Sequence, residues 1–128
     1  MSDIYFMGYK IHLNISNFTP NTVLFSNETD RITVSMVNDV LDYVLSVIAL
    51  KNPLVESYKK AKTVLSIIKM RLCNKQLSRP SKKDLKTTVD VLEEIFNINA
   101  NSEQQKEYNA RCALICKLII NSFGGDVS

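Results

Sequence analysis

A chain of 128 residues is the size of one ordinary domain and can bury a core without disulfides or a structural metal. Its 45% hydrophobic and 23% charged content excludes wholesale disorder, and three Gly with three Pro are too few for the many turns of an all-β fold. The net charge of +3 is modest, but its distribution along the chain is not.

The amino terminus, Met1-Ser2-Asp3-Ile4-Tyr5, has no basic region followed by an apolar run. The longest apolar run, Val40 to Leu50, is broken by Asp42 and is too short for a bilayer. Cys73, Cys112 and Cys116 follow no framework spacing, which suits free thiols in a reducing compartment. The expected location is intracellular (cytoplasm or nucleus), neither secreted nor membrane-bound. Triplets at Asn14, Asn17 and Asn27 have the form of glycan acceptors but are read as a product of Asn-rich composition. Lys in excess of Arg, with abundant Asn and Ile, fits an AT-rich coding genome, as many viruses and phages have.

Tyr5, Met7, Tyr9, Ile11, Leu13 and Ile15 alternate with period two, the pattern of a strand with one buried face. A helix starting near Ile4 is the alternative. Asn17 to Asn21, with Pro20, reads as a turn, and Thr22 to Ser26 as a second short strand, giving a hairpin that must lean on helices. From Thr33 the period becomes helical: Val34, Val37, Leu41, Val44 and Ile48 form a stripe that Val40, Leu45 and Val47 widen. Asn52-Pro53 marks a boundary, with Asn as cap and Pro in the first turn of a second helix reaching about Asn74. Its stripe is Leu54, Tyr58, Ala61, Leu65, Ile68 and Leu72.

Ser81 with Asp84 resembles a capping box opening a third helix that carries Leu85, Val89, Leu92 and Phe96. Ser102 with Gln105 opens a fourth, nearly all apolar from Ala110 to Phe123 and stopped by Gly124-Gly125. Such a helix belongs at the centre of a bundle or in a dimer interface. The expected fold is mainly α: one domain over 1–128, with an N-terminal β-hairpin segment (1–30) packed on a bundle of about four helices (33–124).

Nothing in the chain has catalytic spacing. His12 is the one histidine and lies in the first strand, where a structural role is the simpler reading. Cys112 and Cys116 share a helix face but lack the ligands a zinc site needs, and core packing explains them better. The pairs Asp39 with Asp42, Asp90 with Glu94 and Glu103 with Glu107 fall on polar helix arcs. With no phosphate loop or nucleophile elbow, no enzyme, cofactor or metal is expected.

The basic segment stands apart. Lys59, Lys60, Lys62, Lys69, Arg71, Lys75, Arg79, Lys82, Lys83 and Lys86 crowd one stretch in which Asp84 is the single acid. At about 100° per residue, Lys59, Lys62 and Lys69 line one flank of the second helix's apolar stripe, and Lys60, Arg71 and Lys75 the other. Such a helix can straddle duplex phosphates with little base reading, since Arg makes the commonest guanine contact. The leading expectation is therefore a small non-enzymatic nucleic-acid-binding protein, for instance a viral one that shields duplex RNA. The alternative is a protein-interaction module, such as a viral or phage antagonist of a host protein, or a homo-oligomeric structural protein. It is motivated by Ile67 and Met70 behind the second helix and by the apolar end of the fourth. Lysine stems also solubilise the edge of an apolar seam, so a merely solvated face is the plain reading of the same residues.

Overall fold

The order of elements follows the switch from period two to period 3.6. In a computed structural model, which describes residues 4–11, 18–50, 55–74, 80–98 and 102–125, four short strands precede four helices. The strands are β1 (Ile4–Phe6), β2 (Tyr9–Ile11), β3 (Val23–Ser26) and β4 (Arg31–Thr33). The helices are α1 (Val34–Leu50), α2 (Glu56–Asn74), α3 (Lys82–Ile98) and α4 (Glu103–Gly125). The fold is thus mainly α, with an N-terminal antiparallel sheet of order β1-β2-β3-β4.

The first strand is shorter than its alternation suggests. Met7 and Gly8 both have positive φ, 54° and 81°, the pair of angles a two-residue hairpin turn needs. They fold β1 back on β2, with Phe6 opposite Tyr9. The expected hairpin is the next pair, where Ile11 faces Phe25; Leu13 and Ile15, read as its continuation, lie outside the described residues. Between β3 and β4 the register slips by one residue near Leu24. A bulge breaks the in–out alternation, which is how consecutive Leu24 and Phe25 both become fully buried.

Strand β4 runs without a loop into α1. Thr33 Oγ1 accepts the Met36 amide, and the carbonyls of Thr22 and Pro20 accept those of Val34 and Ser35, so the first-turn donors are satisfied. Helix α1 buries Val34, Val37, Val40, Leu41, Val44 and Ile48, its expected stripe. Helix α2 begins at Glu56 rather than at Pro53, with the Val55 carbonyl accepting the Lys59 amide and an acid beside the positive helix end. Asn52, Pro53 and Leu54 lie outside the described residues. Ala61, Val64, Leu65, Ile68 and Leu72 supply its buried face. Both expected serine caps form: Ser81 Oγ accepts the Asp84 amide and Ser102 Oγ the Gln105 amide, each at 3.1 Å. Ser102→Ala should cost about 1 kcal/mol in urea unfolding, the usual value of an N-cap oxygen.

Each helix packs on the next, and α4 closes the ring against α1. Cys112, Ile115, Cys116, Leu118, Ile119 and Ile120 of α4 are all buried within this one chain, so the bundle itself absorbs most of that apolar end. Buried Asn109 donates to the Phe96 carbonyl and accepts from Gln105. No described helix is long and apolar enough to cross a membrane.

A polar cluster ties the sheet to α4. Arg111 of α4 pairs with Asp30, and the Tyr9 hydroxyl donates to the same carboxylate at 3.0 Å. The Arg111 hydrogen bond holds the Asp30 carboxyl below its ordinary range, against an opposing effect of burial. A carboxyl lowered in the folded state stabilises above the ordinary carboxylate pKa, and that contribution is lost as pH falls through the lower folded value. The melting temperature should therefore fall below about pH 4. Asp30→Asn should destabilise at pH 7 by roughly 1–2 kcal/mol and flatten that acid limb, read by thermal melts from pH 7 to 2.

Candidate nucleic-acid interface

The ten basic residues singled out in the sequence divide by what the fold does with them. Lys59, Lys60 and Lys62 lie exposed on α2, and Lys82, Lys83 and Lys86 lie exposed on the first turns of α3. Lys69 and Arg71 are half-buried. Lys75 and Arg79 lie outside the described residues.

The two flanks of α2 prove to be seams with neighbouring helices. On one flank Lys69 pairs with Asp42 of α1. On the other, Lys60 Nζ donates to Asp84 Oδ1 of α3 at 3.0 Å. Lys60 and Lys69 therefore spend their charge within the molecule, which narrows the surface anticipated for an anionic partner. The Lys60 ammonium is also the main reason the Asp84 carboxyl sits below its ordinary range. Asp84, the one acid of the basic segment, is neutralised by a cation beside it.

What remains facing solvent is Lys59 and Lys62 on α2, and Lys82, Lys83 and Lys86 on α3. None of these five has an ion pair among the described residues. The Lys60–Asp84 bridge brings the first half of α2 against the start of α3, and its sequence neighbours Lys59 and Lys83 flank it. Beside the bridge is a shallow cleft of about 280 Å³ with Glu56, Lys59, Lys60, Ile67, Pro80 and Asp84 on its walls, so a second carboxylate, Glu56, stands at the end of the basic face. Ile67 lines this cleft and is half-buried, whereas Met70 on the back of α2 stays 52% exposed.

The other candidate residues do not converge on a second site. Cys112 and Cys116 are buried, and burial pushes both thiols above their ordinary pKa, so neither is a thiolate at neutral pH. The side chain of Cys73, and the whole of His12, lie outside the described residues. Among the described residues no three His, Cys, Asp or Glu side chains gather as metal ligands would. Asp39, Asp42, Asp90, Glu94, Glu103 and Glu107 are exposed.

Two features escaped the sequence reading. One is the cleft between α3 and α4, with Val89, Leu92, Phe96 and Ala113 beside a Glu93–Lys117 pair at 3.9 Å. The other is the edge-to-face contact of Tyr43 with half-exposed Tyr108, their ring centres 5.1 Å apart. Each needs the relative position of two helices, which periodicity within one helix does not give. Comparison with known proteins finds no match to this chain among family models, curated proteins or solved structures.

Proposed function

We propose that the protein is a non-enzymatic nucleic-acid-binding protein that holds a duplex by its backbone phosphates. The contacts are Lys59 and Lys62 of α2 and Lys82, Lys83 and Lys86 of α3, with Lys75 and Arg79 continuing the same basic run in the sequence. One observation carries this reading: five exposed lysines have no ion pair among the described residues, in a segment whose only acid is already neutralised by Lys60. Concentrated positive charge on two rigid helices attracts a polyanion and displaces its counterions. Lysine supplies point charges rather than the bidentate fork that reads guanine, so weak sequence preference follows.

A labelled duplex of about 20 base pairs, RNA and DNA in parallel, titrated across a salt series tests this. Five phosphate contacts give a slope of roughly −4 to −5 in log Kobs against log salt. Preference for RNA would indicate recognition of A-form shape and 2′-hydroxyls. Absence of binding at low salt would reduce the lysines to a solvated face.

A second reading, docking to a protein partner, draws on the exposed Met70 between the basic flanks of α2. Apolar surface within a charged rim suits a protein interface better than a phosphate backbone. Met70→Glu separates the two: it removes protein docking but lowers duplex affinity only modestly.

A further inference from the structure

We propose that the solvent face of α3 docks a second copy of this chain, the two α3 helices lying antiparallel about a two-fold axis at the level of Thr88. The order of charge along the helix is the observation behind it. At about 100° per residue, Lys82, Lys83, Lys86, Asp90, Glu93 and Glu94 lie on the side away from buried Leu85, Thr88 and Leu92, and all six are exposed. The cations fill the first half of the face and the carboxylates the second.

That order is unfavourable within a single helix. A helix start prefers anions and its end cations, yet the last turn of α3 has no basic residue and its first turn has Asp84 alone as an acid. Like charges also stand three or four residues apart: Lys82 and Lys83 with Lys86, and Asp90 with Glu93 and Glu94. Among the described residues, use inside the molecule accounts for two of the three carboxylates and for none of the three cations. Glu94 accepts the Tyr58 hydroxyl at 3.1 Å and Glu93 lies 3.9 Å from Lys117. Lys82, Lys83, Lys86 and Asp90 have no ion pair among the described residues.

An antiparallel second copy offsets these penalties with attractions between unlike charges. About an axis at position 88, Lys86 meets Asp90 of the second copy, Lys82 meets its Glu93 along one edge of the face and Lys83 its Glu94 along the other, and symmetry repeats every pair. The positive start of each helix then lies beside the acidic half of the other. The apolar cleft between α3 and α4 runs along one edge of this face and adds contact that exposed ion pairs do not provide alone. Association of this kind is weak and salt-sensitive. It also covers Lys82, Lys83 and Lys86, so a bound duplex competes with the second copy.

Sedimentation of the full chain, free of nucleic acid, tests the pairing up to about 1 mM protein at about 50 mM and about 500 mM salt. The expected result is a dimer at low salt that dissociates at high salt. Lys86→Glu and Asp90→Lys should each weaken it about tenfold or more, and the two together should restore it to within about threefold. Circular dichroism checks that each variant keeps its helices. A monomer at every concentration, a dimer indifferent to the single substitutions, or folded single variants that the double does not rescue would overturn the proposal. No nucleic acid enters the experiment, so its outcome is independent of the duplex-binding reading.

Discussion

Lys59→Glu combined with Lys62→Glu is expected to lower duplex affinity by roughly 100-fold at moderate salt and to reduce the salt slope by about 2. Both side chains are exposed, so the folded structure should tolerate the change. They also lie on α2, away from the α3 face, which separates phosphate contact from self-association. The matched comparison uses the Lys60–Asp84 bridge. Lys60→Gln alone releases an unscreened carboxylate into the basic face and should weaken binding, whereas Lys60→Gln with Asp84→Asn stays within about threefold of the natural protein, because the bridge was already neutral. Equal losses in the two cases would mean that Lys60 itself touches phosphate. Fluorescence anisotropy over a salt series reads every term.

The second large effect concerns stability. Ile68→Ala should cost about 3–4 kcal/mol, because the Ile68 side chain is fully buried at the centre of α2 and a truncation there leaves a cavity. Ile67→Ala, one residue away and half-buried, should cost about 1 kcal/mol or less. Urea unfolding followed by circular dichroism gives both values. Similar losses at the two positions would mean that the wrong face of α2 has been assigned to the core.

The helices were legible because their ends and faces are written locally. Ser81 and Ser102 act as the caps their spacing suggests, and the stripe through Ala61, Leu65, Ile68 and Leu72 is the buried face of α2. Strand β4 was not legible: Arg31–Thr33 holds one buried apolar residue, Ile32, and passes directly into α1, so neither alternation nor a turn announces it. The hairpin at Met7–Gly8 left a single trace, the glycine, and the alternation of its neighbours concealed it.

In the basic segment, sequence position gave the surface but not its occupancy. That Lys69 reaches Asp42 and Lys60 reaches Asp84 depends on how α1, α2 and α3 pack, and each partner is 24 or more residues distant in the chain. The apolar end of α4 shows the reverse limit. Its composition suggests surplus apolar surface, yet Cys112, Ile115, Cys116, Leu118, Ile119 and Ile120 find their cover inside the bundle, since α4 is packed by both α1 and α3.

The most direct measurement is an amide chemical-shift titration of the ¹⁵N-labelled protein with a short RNA duplex. Changes are predicted at the backbone of Lys59, Lys62, Lys82, Lys83 and Lys86, with the β1–β2 hairpin and the Tyr43–Tyr108 contact left unmoved. Shifts concentrated on those latter elements, or a spectrum that does not respond to the duplex at low salt, would contradict the assignment of phosphate binding to the α2–α3 face.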